Sequence, residues 1–417
     1  MASALGERRE SAARRLDTLS LPQFKGRPGW EFTDISGLDL DRYGAAEGEP
    51  AGGPDAVALP FGIAPGDAAC WLELRDGRPT PVLGTGLPDG VIVTTLEQAM
   101  TEHPELVARH LGTVVSSEGD ALVTRNDAGL SGGVFIYVPR GVAVPGPIVL
   151  TSIQSQTGTE LHHHAVIVLE EGAQAEVWEQ LVSGGDELDG VFNLVTELVV
   201  GDAANLRYIG AQDLAETSWI FGTQRAEIGR DGSLDWVALG FGSARGHVRM
   251  ETRLGGPGAD ARVTGAYATH KRQHIDFDTT QEHAAPNTTS DLAFRGVLQD
   301  RSTAVWKGNI IVDPGAQKTD AFQESRNLLL SKRAHADAIP GLEIQANDVR
   351  CTHAAAIAQV DPEQLFYLRS HGLPEADAKR LVIEGFLSAL VERFEAGAVR
   401  EVLAEALECR LALVLGK

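Results

Sequence analysis

Six short segments share one form, and their spacing limits the fold more than any other feature. "YVPRGVAVPG", "VLEEGAQAEV", "VVGDAANLRY", "IGRDGSLDWV", "LGGPGADARV" and "IVDPGAQKTD" each place two apolar-leaning positions before a polar turn, a small residue and a second strand-like run. Their fifth positions are residues 141, 172, 203, 232, 258 and 315; the first four steps are 31, 31, 29 and 26 residues, and the last, 57, is about two of them. From about 120 to 350, Val- and Ile-rich pairs alternate with Gly, Asp and Asn turns. Strand, turn and strand at a steady period, with no helix between, is what a β-solenoid requires. One coil cannot bury its apolar face, whereas stacked coils build a continuous core. A β-sandwich of irregular hairpins scatters similar turn motifs, so the pattern alone leaves both architectures open.

The flanks differ. Residues 1–115 read as a mixed, partly helical region. "MASALGERRESAARRLDTL" has the pattern of an amphipathic helix with arginines on its wet side, and it lacks the apolar centre of a signal peptide. "PGWEFTDISGLDL" leads into the Gly/Pro-rich "GAAEGEPAGGPDAVALPFG", read as a connector or surface loop, and "TLEQAMTEHPELVARHLG" reads as one or two short helices closed at Gly112. Residues 116–358 are the expected β core, and residues 359–417 turn helical. Asp361 is placed to cap a helix with Pro362 at its first position and Gln364 at its third, a capping box that Gly372 would close. Pro374 opens the next helix, where Ala378, Leu381, Val382, Phe386, Ala389, Leu390 and Phe394 form a stripe; Val399, Val402, Leu403, Ala406 and Leu407 form another.

Composition narrows the function. A formal charge of −22 on 417 residues argues against nucleic acid, which needs a basic face. No apolar run approaches the ~18–20 residues that span a bilayer. Cys70, Cys351 and Cys409 are an odd, scattered set, which fits a reducing cytosol better than a disulfide framework. The chain has no Walker A lysine motif, no H-E-x-x-H, no G-x-S-x-G and no C-x-x-C. ATP hydrolysis and a self-contained cage of cysteine thiolates are therefore excluded.

Three clusters remain. In "ELHHHAVIVLEEG", His162 and His164 share one strand face and His163 takes the other; polar residues at the start of a strand are the simpler reading than a metal site. In "THKRQHIDFDTTQEH", Asp276 and Asp278 share a face. On a solenoid that pairing is the pattern of polysaccharide lyases and hydrolases, although aromatic residues for sugar stacking are only 6% of the chain. In "DVRCTHAAA", Cys351 and His353 stand at i and i+2 on a strand, pointing the same way, with Cα atoms about 6.5–7 Å apart. Two ligands leave a tetrahedral metal half coordinated, so the pair is either half of a site completed by another surface or a buried thiol beside a hydrogen-bonded imidazole.

"AQKTDAFQESRNLLLSKRAHADAIPGLEIQANDVRCTHAAAIAQVDPEQLFYLRSHGL" resembles the SufB/SufD family of the SUF iron–sulfur cluster assembly machinery, in its SufD form. "QHIDFDTTQEHAAPNTTSDLAFRGVLQDRSTAVWKGNIIV" is similar to the same family, as are "GVFIYVPRGVAV", "HHHAVIVLEEGAQAEV" and, less closely, "GWEFTDISGLDL". The N-terminal cysteine cluster of SufB is missing, and Ser325 and Arg326 stand near its usual later cysteine. The resemblance implies a right-handed parallel β-helix core between helical flanks. It implies a scaffold subunit, not an enzyme, working in the cytoplasm. SufB would pair through the β-helices, and the SufC ATPase would dock on the C-terminal helices, where Phe366, Tyr367, Arg369, Gly372 and Phe386 are the candidate contacts. It implies no stably bound cofactor, but a transient cluster or iron at the SufB interface, with His353 and then Cys351 as candidate ligands. An isolated chain would be open to pairing with a second copy. Ala354 and Ala356 stand where the family usually has Gly and Thr, and "RSHG" where "RSRG" is common.

Overall fold

The structure, a computed structural model, describes residues 4–23, 29–49, 59–63, 65–394 and 397–415. Residues 50–58 of the expected Gly/Pro-rich connector lie outside them. The chain begins with helix α1 (Ala4–Leu16), strands β1 (Cys70–Arg75), β2 (Arg78–Pro79) and β3 (Ile92–Thr95), and helices α2 (Leu96–Glu102), α3 (Pro104–His110) and α4 (Ala121–Gly129). Sixteen strands follow: β4 (Gly132–Val138), β5 (Ile148–Gln154), β6 (Thr159–Leu169), β7 (Gln174–Ser183), β8 (Gly190–Val200), β9 (Asn205–Asp213), β10 (Trp219–Ile228), β11 (Ser233–Gly240), β12 (Arg245–Leu254), β13 (Asp260–Thr269), β14 (His274–His283), β15 (Thr289–Leu298), β16 (Thr303–Val312), β17 (Asp320–Leu329), β18 (His335–Ile344) and β19 (Arg350–Gln359). Helices α5 (Pro362–Ser370), α6 (Glu375–Val391) and α7 (Ala398–Val414) end the chain.

From β4 onward, even-numbered strands pair in parallel in one sheet and odd-numbered strands in a second. Each coil gives one strand to each sheet, so the core is a parallel β-solenoid rather than a sandwich. The expected turns are its corners. Gly141, Gly172, Ala203, Gly258 and Gly315 all adopt positive φ, the left-handed conformation that turns a strand out of one sheet and toward the other. The long 57-residue step hides a corner at Asn287, φ 59°, where an asparagine does the work of glycine. At the fourth segment the left-handed residue is Asp231, not Gly232.

Side chains facing between the sheets fill the lumen. Strict register builds columns along the axis, and one runs Cys70, Ile148, Val177, Tyr208, Trp236, Val263, Leu292, Gln323, His353. Neighbouring strands are about 4.8 Å apart, so each member stacks on the next. The first seven belong to one buried apolar cluster; Gln323 and His353 end the column in polar groups.

The outer walls are also covered. On the even-strand sheet, α4 lies across β6 and β8. Asn126 Nδ2 donates to the carbonyls of His163 (3.0 Å) and Asn193 (2.9 Å), and Asn193 Nδ2 donates to that of Leu122 (2.9 Å). The α1 arginines do not all face water as expected. Arg8 pairs with the buried Asp127 at 2.9 Å, Arg9 donates to the Leu130 carbonyl and Arg15 to Ser117 Oγ, because α1 packs on α4 and needs donors for its polar groups. On the odd-strand sheet, Ile383, Leu387, Leu390 and Phe394, with Leu403, Leu407 and Leu411 of α7, pack on Trp178, Ile209, Val237 and Ala266. This face of α6 is rotated from the expected stripe: Leu381 is exposed and Val382 half-buried, since the helix carries apolar residues almost all round. Phe61 is clamped into the same layer, edge-on to Trp178 at 5.4 Å, with its N–H bonded to Gln180 Oε1 at 3.0 Å.

The two ends of the solenoid differ. At its start, β3 runs antiparallel to β4 and β2 antiparallel to β1, which closes the first coils. At its finish, β18 and β19 are the edge strands of the two sheets. An uncovered edge offers a row of backbone donors and acceptors to another chain.

Candidate functional site

The last coil gathers the open chemistry. In β19 the burial pattern is almost entirely exposed; its Ile357, with Leu342 and Ile344 of β18, presents apolar surface. Cys351 and His353 face the lumen side, in register with Ala321 and Gln323 of β17. The i, i+2 geometry read from the sequence holds. Cys351 is half-buried against Ile310, Val312 and Ala321, whereas His353 is exposed and makes no hydrogen bond among the described residues. Burial, and secondarily the charge of Asp320, push the Cys351 thiol above its ordinary value. Metal ligation requires the thiolate, so at neutral pH the imidazole is the readier donor. Ala354 lies in strand β19 and is not among the positive-φ residues, so the missing glycine costs no strain.

No group of three or more His, Cys, Asp or Glu side chains among the described residues could hold a metal ion. The chain thus offers two donors at an open edge, and any cluster bound there needs ligands from elsewhere. Behind them the lumen turns polar in a way the sequence reading missed. Gln323, Ser325 and Asn327 alternate on the inward face of β17, and Tyr267 donates to Asn327 Oδ1 at 2.5 Å. Their i, i+2, i+4 spacing in "FQESRN" was the available signal.

The other two clusters are closed. Asp276 and Asp278 do share an outward face, but Asp276 is only 2% exposed and Thr33 Oγ1 donates to its Oδ2 at 2.6 Å; Asp278 faces Lys307 Nζ at 3.5 Å. This leaves no open carboxylate pair for acid–base work on a glycan. The three histidines are not merely polar residues at a strand's start: all are buried and each meets a carboxylate. His163 points into the lumen, between Ser152 Oγ (3.2 Å) and Glu179 Oε1 (2.9 Å). His164 reaches Glu197 Oε1 at 2.9 Å on the outer side, and Glu197 also accepts the backbone N–H groups of Gly112, Val114 and Val115. His162 lies 3.6 Å from Glu160, and burial pushes its imidazole down to about 4. Glu179 meets His163 across the lumen and Glu197 meets His164 from the next coil, whereas Glu160 is local to His162.

A second exposed surface lies on the C-terminal helices. Asp361 caps α5 by accepting the Glu363 N–H at 2.8 Å, Pro362 takes the first position, and Gly372 closes the helix at φ 94°. The capping contact is thus to Glu363 rather than through Gln364. Among the described residues α5 buries none of its side chains; Phe366 is 75% and Tyr367 63% exposed. A groove of about 600 Å³ between α5 and α6 is lined by Gln364, Tyr367, Leu368, Leu381 and Val382. Arg369 pairs with Glu375 beside it (3.6 Å), whereas Phe386 turns toward the solenoid wall, under the Arg295 guanidinium at 5.0 Å.

Residues 151–386 match the family model described as "SUF system FeS cluster assembly, SufBD core domain", and residues 80–150 match the SufBD N-terminal region. The chain belongs to the SufBD family. The SufBD core so defined covers β6 to β19 and reaches into α6, taking in both the open coil and the exposed α5. Among relatives, the iron–sulfur cluster assembly protein SufD of Bacillus subtilis is 31% identical over 91% of this chain and 87% of its own length. An iron–sulfur cluster assembly SufBD family protein of Mycobacterium tuberculosis is 32% identical over 70% of this chain and 74% of its own. One from Synechocystis is 24% identical over 98% and 91%. This SufBD chain is thus a SufD homologue from a family devoted to iron–sulfur cluster assembly, and none of its described helices is long and apolar enough to cross a membrane.

Proposed function

We propose that the chain is a SufD-type scaffold subunit, without catalysis of its own, that pairs with SufB through the open end of its solenoid in the cytoplasm. The observation that carries this reading is the last coil: two edge strands, three exposed aliphatic side chains and an unengaged imidazole on one surface. An edge of this kind is satisfied by adding the end of a second solenoid, which continues both sheets and covers Leu342, Ile344 and Ile357. His353 then faces the partner, and iron or a nascent cluster is held between the two chains, with Cys351 behind as a weaker donor. The iron is cargo and needs no resident site here.

The SufC ATPase is assigned to α5 and its groove, where Phe366, Tyr367 and Arg369 project and Gly372 shapes the turn. Phe386 serves this surface indirectly, by holding α6 to the wall. ATP-driven closure of SufC would pull on helices fixed to the solenoid and reshape the interface. A second copy of the chain competes for the same open end when SufB is absent. Pull-down of the full chain with SufB and SufC, followed by native mass measurement, tests the reading: recovery of both partners supports it, and recovery of neither under reducing conditions overturns it.

A further inference from the structure

The column that ends on His353 has an unusual penultimate member. Gln323 is completely buried, yet its amide spans the lumen. From β17 in one sheet, Nε2 donates to the carbonyls of Gly308 (3.2 Å) and Gly341 (3.1 Å) on β16 and β18 in the other. Those two bonds settle the orientation of the amide, because the reverse assignment would set its oxygen against two carbonyl oxygens. Its Oε1 is consequently a buried acceptor with no partner. Gly308 makes room for both the Trp306 indole and the amide: a Cβ there would run into the indole ring and lie 2.6 Å from Oε1. An unpaired buried acceptor is destabilising, so it draws in any donor within reach. His353 is the register partner of Gln323, on the same face about 4.8 Å further along the axis, and its ring makes no hydrogen bond among the described residues, so a side-chain rotation would bring its N–H to Oε1.

We propose that Gln323 is the positioning residue for His353: Oε1 accepts the inward ring N–H and so turns the lone pair of the other nitrogen outward, toward the open edge. A ligating imidazole needs its proton on the far nitrogen, and the acceptor held there fixes both tautomer and ring direction. This rests on the reading of His353 as a ligand, although the contact itself is testable without metal.

Gln323→Met and Gln323→Glu separate positioning from structural support. Both lose the Nε2 bonds to Gly308 and Gly341; only the glutamate keeps an acceptor oxygen. It also carries the larger structural cost, because its second oxygen faces those two carbonyls, so one held tautomer in the more disrupted variant cannot be ascribed to intact structure. The full chain, labelled with 15N-histidine, is examined at alkaline pH where the ring is neutral, with His353→Ala assigning the signal. Wild type and Gln323→Glu are expected to hold His353 predominantly in one tautomer, and Gln323→Met to relax it toward the mixture of free imidazole. Equal behaviour of the two variants, or a free-imidazole mixture in wild type, overturns the proposal. So does a change at the indole of Trp306, whose buried N–H also lacks a partner, with none at His353. In a complex reconstituted with SufB and SufC, Gln323→Met should weaken iron binding about tenfold relative to Gln323→Glu. Normal iron binding alongside the tautomer shift would uphold the positioning and overturn the ligand reading.

Discussion

Thr33 Oγ1 donates to Asp276 Oδ2 at 2.6 Å across 243 residues of sequence. The same hydroxyl lies 3.0 Å from His274 Nε2, His247 Nδ1 approaches Asp276 at 3.2 Å, and the Trp30 ring packs tilted against His247 with centroids 4.0 Å apart. The "GWEFTD" segment is therefore a strap over the outer wall of β12 and β14, and two of the segments that carried the family resemblance prove to be partners in space.

Thr33→Val keeps the shape and removes the hydroxyl, leaving Asp276 buried with a weaker set of partners. Stability should fall by about 1.5–3 kcal/mol, the usual range for a hydrogen bond to a charged group, read as a lower denaturant midpoint at unchanged slope. A midpoint equal to wild type would show that the strap contributes nothing.

Arg410 joins α7 to the solenoid while only 5% exposed. It donates to the Ala268 carbonyl (3.2 Å) and Gln273 Oε1 (3.1 Å) and faces Asp213 at 3.7 Å. Arg410→Met fills the space but removes the cation facing the half-exposed Asp213 and takes the buried donor from Gln273 Oε1 and the Ala268 carbonyl. A loss of about 1–3 kcal/mol is expected from the buried acceptors left without their donor, with faster amide exchange in α7 than in β9. Uniform exchange would mean that α7 is held by its apolar face alone.

His283 is enclosed between Thr288 Oγ1 (2.8 Å) and Ser290 Oγ (2.9 Å), and burial pushes its imidazole from 6.5 down to about 4. The unfolded chain binds this proton at higher pH than the folded one. Stability is therefore intact above pH 6.5 and falls as pH drops toward about 4, by about 1.4 kcal/mol per pH unit for one proton. His283→Gln should flatten the pH dependence of thermal unfolding in that window. An unchanged slope would remove His283 from the acid sensitivity.

Phe366→Ala combined with Tyr367→Ala should alter stability by less than about 0.5 kcal/mol, since neither side chain is buried. Capture of SufC should nevertheless fall sharply while capture of SufB persists. Equal retention of SufC would move its docking surface off α5.

The repeat was legible because glycine or a small residue marks most corners. Asn287 and Asp231 were not, because asparagine and aspartate reach the left-handed conformation without advertising it. Strand alternation foretold the shared direction of Cys351 and His353, yet the open edge became visible only once β18 and β19 were seen to lack further neighbours. Glu179 and Glu197 became partners of His163 and His164 through coil-to-coil and cross-lumen contacts that no local spacing encodes. Helix α4 and the inward arginines of α1 were missed for a related reason: Arg8 and Asp127 explain each other only as a pair.

The most direct test is cluster formation by a complex of the full chain with SufB and SufC, comparing wild type with His353→Ala and Cys351→Ser. Native mass should show all three complexes assembled, His353→Ala should lower the cluster yield markedly, and Cys351→Ser should lower it less. A normal yield from the His353→Ala complex would contradict the account and leave the chain a structural subunit whose partner carries every ligand.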